Sequence, residues 1–181
     1  MKKREKSFSF IIFLFFIPFL LWIILQFFAP IFLPNNSISD LSGIVGVLDN
    51  KEITDKMLFP LNIVYICGDS LCHQKAERSI FINGNQMPFC SRCTAIWLGI
   101  TIGLGFMVFF KIMPDKKFLF LIIIGFVPIA IDGVGQLLHF WESTNIIRLI
   151  TGLLIGIVTG LAIGIIIDEL IDLKRKKVVE S

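Results

Sequence analysis

The sequence has little charge for its length. Of its 181 residues, 17% are charged and 55% belong to the hydrophobic set, with a mean hydropathy of +0.83. A water-soluble domain carries about 25% charged residues, so this chain has too few polar side chains to cover itself in water. The composition therefore predicts a membrane protein and gives no support to nucleic-acid binding. The length leaves room for one small bundle and one external segment, which excludes a multi-domain enzyme.

Charge is almost absent from four long stretches. A helix needs roughly 20 residues to cross a hydrocarbon core of about 30 Å. The four stretches that satisfy this length are residues 8–33, 93–110, 118–140 and 148–167. We therefore predict an all-α fold, in which residues 1–181 form a single membrane domain. This domain is a four-helix integral membrane bundle, with residues 34–92 as an external segment between the first and second helices.

The first stretch lacks two features of a cleaved signal peptide, although basic residues precede it. Its 26 residues exceed the usual apolar core of such a peptide, and no small-residue cleavage pattern follows. We expect a retained helix that is kinked at Pro18. With the N-terminus in the cytoplasm, 11 of the 17 basic residues lie on the inner side. The positive-inside rule then predicts a plasma-membrane protein with both termini in the cytoplasm and residues 34–92 at the outer face.

Two apolar parts of the external segment indicate local structure. Residues 41–48 predict a short surface helix or re-entrant piece, and residues 57–66 predict a helix lying on the outer end of the bundle. Glycines recur every fourth residue in two of the spans, a pattern that lets helix backbones approach closely. They are Gly99 and Gly103 in the second helix, and Gly152, Gly156, Gly160 and Gly164 in the fourth.

All four cysteines fall in or beside the external segment. They are Cys67, Cys72, Cys90 and Cys93. A C-x2-C pair supplies two thiolates from one turn, which suits tetrahedral zinc, and Cys72 with His73 can complete the set of ligands. Adjacent residues are awkward as two ligands of one ion, so Cys67 can replace one of them. The same C-x2-C at a helix N-terminus, with Arg92 inside it, also suits disulfide exchange, and a structural disulfide is a third interpretation.

Asp132 is a carboxylate inside an apolar span. Such a group costs roughly 2.5 to 3.5 kcal/mol at the centre of a membrane helix, so it should face the bundle and have a partner. Gln136 follows one helical turn later, and Arg148 begins the next span. We predict that Asp132 and Arg148 are spatial partners, either directly or with Gln136 as a bridge. The pair is either a structural connection between two helices or part of a functional polar site.

Several blocks of residues, in order along the chain, resemble a known family. The blocks are Cys72-His73-Gln74, Glu77-Arg78-Ser79, Cys90-x-Arg92-Cys93-Thr94, Asp132-Gly133-x-x-Gln136 and Glu142-Ser143-Thr144-Asn145-x-x-Arg148. They are similar to the signature of a family of small membrane proteins, the domain of unknown function 2085. Ala95 stands where the pattern has glycine, and Cys67 lies outside it. The resemblance favours Cys72, His73, Cys90 and Cys93 as the set of ligands, and it implies no reaction.

We therefore expect a multi-pass membrane protein with a Cys/His/Asp/Arg site at its outer face, built around zinc. In an enzyme of this kind, Asp132 and Glu142 are the candidate acid and base groups. A lipid or lipid-linked substrate would bind through its anionic headgroup to Arg78, Arg92 and Arg148. Polar support would come from Gln74, Gln136 and Asn145.

Two other functions are compatible with the same residues. The chain resembles the vitamin K epoxide reductase and disulfide-bond-forming membrane proteins in its general plan of four helices with a C-x2-C at a helix entry. That plan implies a quinone-coupled thiol–disulfide oxidoreductase. The other alternative is a non-enzymatic membrane subunit with structural cysteines. The partners that the sequence predicts are the lipid bilayer and a lipid or lipid-linked substrate.

Overall fold

Four long apolar helices form the protein. The computed structural model describes residues 3–5 and 8–180, and within them four helices are long and apolar enough to cross a membrane. They are α1 (Phe10–Phe32), α4 (Ser91–Phe109), α5 (Lys116–Leu137) and α6 (Asn145–Glu180). The predicted four-helix integral membrane bundle is confirmed, and the first three spans begin or end within three residues of their predicted boundaries.

The last helix is much longer than the sequence predicted. It has 36 residues, which corresponds to about 54 Å and exceeds the thickness of the hydrocarbon core. The predicted end at residue 167 is the point in the sequence where charged residues begin. Those residues continue the helix because Glu, Leu, Lys and Arg all favour helical backbone, whether the surroundings are apolar or aqueous.

The centre of the bundle is the contact between α4 and α6, which is the most extensive in the protein. A Cβ added at Gly99 would lie 2.6 Å from the carbonyl oxygen of Leu153, and one at Gly103 would lie 2.5 Å from that of Ile157. Neither position has room for a side chain, so the prediction of a glycine packing seam is confirmed. By contrast, only 17% of the residues in the most apolar part of α1 are buried, and 22% in that of α5. These two helices present mainly outward-facing apolar side chains.

Successive spans run in opposite directions. The N-terminus of α1 meets the C-terminus of α4, where Ser9 N–H donates to the carbonyl of Val108 at 3.0 Å. Beside it, strand β1 (Lys3–Glu5) pairs with β4 (Phe110–Ile112). We call the opposite end of the bundle the cap end, because the cap segment, residues 33–90, covers it.

The cap segment contains more regular structure than predicted. It includes α2 (Lys51–Thr54), α3 (Leu61–Leu71), a 3-10 turn at Ala76–Arg78, and an antiparallel hairpin of β2 (Ser79–Ile82) and β3 (Asn85–Cys90). The helix expected over residues 57–66 instead begins at Leu61, directly after Pro60, and continues to Leu71.

Of the two structures expected for residues 41–48, a short surface helix or a re-entrant piece, the helix is wrong. This stretch forms turns, with Gly46 at a φ of +90°. The Asp49 carboxylate accepts a hydrogen bond from Ile44 N–H at 2.7 Å. The side chain therefore competes with helical backbone bonding, and the left-handed glycine ends any regular run.

Candidate functional site

Three thiols converge where the cap segment enters α4. Cys72 caps the C-terminus of α3, Cys90 ends β3 and caps the N-terminus of α4, and Cys93 lies in the first turn of α4. Their Sγ atoms all lie within 4.8 Å of one another. Two thiolates on one tetrahedral zinc ion are about 3.8 Å apart, given a zinc–sulfur distance of about 2.3 Å. The arrangement of these three residues, which we call the thiol cluster, can therefore hold a metal ion.

His73 and Cys67 lie outside the thiol cluster. His73 is exposed, and it lines the same cavity as the three cysteines without joining their group of converging ligand atoms. Cys67 is half-buried within α3, and burial raises the pKa of its thiol. The sequence allowed Cys67 to replace one of the ligands. In the structure, Cys67 does not belong to the group of converging ligand atoms.

Buried polar contacts hold Cys72 beside Cys90. Gln74 is buried, with its backbone at a φ of +44°, and its side-chain amide donates to the carbonyl of Pro88 at 2.7 Å. Gly68 lies against the same carbonyl, where a Cβ would not fit. On the other side, the Gln86 amide donates to the Gln74 carbonyl and to Ser79 Oγ. These bonds lock the end of α3 onto β3, which fixes the separation of the two thiols.

The thiols of the cluster are not equivalent. The pKa of Cys90 lies well below its ordinary value because its thiolate accepts hydrogen bonds from the Cys72 and Cys93 thiols and from backbone N–H groups of Cys93 and Arg92. The pKa of Cys72 is raised, chiefly by its interaction with the Cys90 sulfur. Cys90 is therefore the residue that carries the first negative charge, as a metal ligand or nucleophile must.

Asp132 pairs directly with Arg92, not with Arg148. Arg92 Nη2 donates to Asp132 Oδ2 across the gap between α4 and α5. Arg148 Nη2 instead donates to Gln136 Oε1 at 3.1 Å, and Gln136 Nε2 donates to Asp132 Oδ2 at 3.1 Å. The prediction of a direct Asp132–Arg148 pair is therefore wrong, whereas the predicted bridge through Gln136 is confirmed. Arg148 belongs to the helix that follows α5 in the chain, but Arg92 in the first turn of α4 reaches the carboxylate of Asp132 directly.

Two donors to Asp132 were missed from the sequence. Ser143 Oγ donates to Oδ2 at 3.1 Å, and Trp141 Nε1 donates to Oδ1 at 3.4 Å. Both residues belong to the turn between α5 and α6, and no local pattern distinguishes Trp141 from an ordinary aromatic side chain at a membrane interface. Asp132 is 4% exposed, and with four donors it is a saturated acceptor. This arrangement suits a group that orients Arg92 better than a free acid or base.

Two cavities meet at the arginines. The thiol cavity, about 290 Å³, is lined by the cysteines of the cluster, His73, Gln74 and four cationic residues. The cations are Lys75, Arg78, Arg92 and Arg148. The lateral cavity, about 310 Å³, is lined by Arg78, Arg92, Gly133, Gln136, Leu137 and His139. Neither lining includes a carboxylate from the described part of the chain, so both cavities are electropositive.

Of the two remaining predicted site residues, one contacts the polar network and the other lines neither cavity. Asn145 connects the hairpin to α6, since it donates to the Ser79 carbonyl at 3.3 Å and accepts from Arg148 Nη1 at 3.4 Å. Glu142 is exposed and lines neither cavity. A larger cavity of about 480 Å³ lies between the end of α1 and residues 53–61, which lead from α2 into α3. It is mainly apolar and contains none of the predicted site residues.

The fold and the thiol cluster define a multi-pass membrane protein with a cysteine site at one end of its bundle. The chain belongs to the domain of unknown function 2085 family, described as predicted membrane proteins, whose pattern matches residues 72–167. This confirms the family resemblance. The matched range contains the three clustered cysteines, Asp132 and Arg148, and it excludes Cys67.

Two archaeal proteins are similar to the chain. An uncharacterized protein of Methanocaldococcus jannaschii is 38% identical over 95 residues, which cover 51% of this chain and 61% of that protein. An uncharacterized protein of Methanothermobacter thermautotrophicus is 37% identical over 86 residues, covering 48% of this chain and 78% of that protein. The chain thus spans less than two thirds of the first relative. No solved structure matches the chain.

Proposed function

We propose that this protein is a zinc-binding membrane protein of the plasma membrane that acts on an anionic lipid or lipid-linked substrate. Both termini would lie in the cytoplasm and the thiol cluster at the outer face, following the distribution of basic residues. The observation that carries the proposal is the convergence of the three Sγ atoms within 4.8 Å. Soft thiolates in this arrangement favour zinc over the hard cations, which prefer oxygen.

Three protein ligands leave a fourth position on a tetrahedral ion, as in catalytic zinc sites. In this protein the fourth position would face the thiol cavity, which His73 also lines. When bound there, zinc would supply Lewis-acid activation of water or of a substrate oxygen. His73 as fourth ligand would close the site, whereas water would leave it open for chemistry. Metal retention in His73→Ala distinguishes these two arrangements.

The substrate class follows from the charge of the cavity wall. Guanidinium groups bind phosphate and carboxylate through paired hydrogen bonds, and three of them line the thiol cavity. Asp132 would act as a positioning residue that aims Arg92, while Gln136 and Asn145 do the same for Arg148. Neither Asp132, which is saturated with donors, nor the exposed Glu142 has geometry that favours an acid or base role.

Metal analysis of protein purified in detergent tests the zinc proposal. We expect about one zinc ion per chain in the native protein, and Cys93→Ser should lose most of it together with thermal stability. Cys67→Ser is the matched control and should retain the metal, because Cys67 lies outside the cluster. A native protein without metal under reducing conditions, or equal metal loss in both variants, would contradict the assignment.

A thiol–disulfide oxidoreductase is the second candidate. It is favoured by the lowered pKa of Cys90 at the start of α4, close to two further thiols. In that reaction a Cys90–Cys93 dithiol would lose two electrons and two protons to a membrane quinone, giving a disulfide and a quinol. A native Cys90–Cys93 disulfide that forms reversibly, in protein lacking zinc, would favour this function. A Cys90–Cys93 disulfide that stays oxidised in the native protein, and whose reduction leaves the activity of the protein unchanged, would instead indicate structural cysteines.

A further inference from the structure

We propose that the lateral cavity binds the phosphate headgroup of a lipid-linked substrate, which enters sideways along α5 and is held between Arg78 and Arg92. The inference rests on the proposed function, because it names the substrate class of the zinc site and the route by which the substrate reaches that site. It assigns the lateral cavity a role separate from the thiol cavity: the first receives the headgroup from the bilayer, and the second holds the metal.

Arg78 and Arg92 both line the two cavities. An anion between them would therefore lie at the junction of the lateral cavity and the thiol cluster. Both guanidiniums retain donors for a ligand. Arg92 uses Nη2 for Asp132, whereas its buried Nε has no hydrogen-bond partner in the part of the chain that the structure describes. Among the described residues, the Arg78 guanidinium has one ion-pair contact, 3.6 Å to its neighbour Glu77, in an exposed pair of the kind that is easily exchanged.

Gly133 keeps the lateral cavity open. A Cβ added at this position meets no other atom within 4 Å, although the residue lines the cavity. Gly135, two residues later, differs because a Cβ there would collide with the Trp141 ring. Packing thus explains the glycine at 135 but not at 133. The missing side chain at Gly133 leaves free volume beside the two arginines, where a headgroup fits.

The mouth of the lateral cavity lies on the bilayer side of the protein. Leu137, which lines the cavity, is 76% exposed, and Val134 on the same helix is 53% exposed. Both belong to α5, a membrane-spanning helix, so their outward faces meet lipid. Gly133 lies about 6 Å before the last residue of α5, Leu137, which places it near the interface. A lipid could leave its chains against α5 while its phosphate reaches the arginines.

Binding of dodecyl phosphate and of inorganic phosphate to the purified protein in phosphatidylcholine nanodiscs tests this inference. Empty nanodiscs provide the background for partitioning of the amphiphile. Gly133→Trp would fill the cavity mouth, and Val134→Trp is the matched control, since it puts the same side chain on the lipid-facing side of the same turn. We expect dodecyl phosphate to bind at least tenfold more weakly to Gly133→Trp and to Arg78→Gln, and within twofold of normal to Val134→Trp.

The outcomes separate this inference from the zinc proposal. Unchanged dodecyl phosphate binding in Gly133→Trp would overturn the lateral site. Equally tight binding of inorganic phosphate, insensitive to Gly133→Trp, would overturn the lipid source and assign the arginines to a soluble anion. If the native protein contains no metal and still shows Gly133-dependent binding of dodecyl phosphate, the lateral site is supported and the zinc centre is contradicted. A full complement of zinc without dodecyl phosphate binding would overturn the lateral site alone.

Discussion

Arg92 and Asp132 form an ion pair that connects the first turn of α4 to the last turns of α5. Because Arg92 lies between Cys90 and Cys93, the pair also ties the thiol cluster to a buried carboxylate of α5. Gln136 extends the connection to Arg148 on α6. Three of the four spans therefore meet at the cap end through one buried polar network.

This network predicts unequal coupling energies. Asp132→Asn and Arg92→Gln should each destabilise the protein by about 1 to 3 kcal/mol, since each leaves a partly buried polar group without its partner. The double variant should cost clearly less than the sum. Asp132→Asn with Arg148→Gln should be closer to additive, because Gln136 separates these two residues. Unfolding in mixed micelles measures the wild type, the three single variants and the two double variants, and equal coupling in both cycles would contradict the network.

The glycine seam predicts a strong difference between adjacent positions on α4. Gly103→Leu should prevent normal packing of α4 on α6, because its Cβ would meet the Ile157 carbonyl and the α6 backbone cannot move aside. Overpacking costs about 1 to 3 kcal/mol, and more against backbone. Ile102→Leu, at an outward position 47% exposed, should leave thermal stability nearly unchanged. Similar melting temperatures for the two variants would show that the seam is not a close contact.

The thiols should react with iodoacetamide at different rates in metal-free protein. Because the pKa of Cys90 is lowered, its thiolate persists as the pH falls below the ordinary thiol value, and its alkylation should remain measurable near pH 7. The pKa of Cys67 is raised by burial, so its reaction should need a pH above that value. Peptide mapping by mass spectrometry gives both rates. Faster alkylation of Cys67 than of Cys90 at pH 7 would refute this order.

The proposed orientation predicts one-sided labelling of intact cells. A cysteine introduced at the exposed Ser37, in the cap segment, should react with a membrane-impermeant maleimide added outside. A cysteine at the exposed Lys117, at the opposite end of the bundle, should react only after the membrane is made permeable. Labelling of Lys117→Cys alone would reverse the orientation and place the thiol cluster in the cytoplasm.

The spans and two of the three residues of the thiol cluster follow from local sequence patterns. An uncharged run of sufficient length has to cross the bilayer as a helix, since the hydrocarbon offers no partner to unpaired backbone groups. Glycines four residues apart necessarily share one helix face, so they identify the seam. Cys90 and Cys93 are equally local, because three residues at the start of a helix bring two side chains to one side.

The tertiary structure alone decided which distant residues meet. The family resemblance already favours Cys72 over Cys67, but the physical reason is tertiary: Gln74 and the β2–β3 hairpin lock the end of α3 against β3. Hydrophobic patterns do not predict such long-range hydrogen bonds. Asp132 pairs with Arg92 rather than Arg148 for the same reason. The sequence shows that a buried carboxylate needs a cation, whereas the level and separation of α4, α5 and α6 determine which cation reaches it.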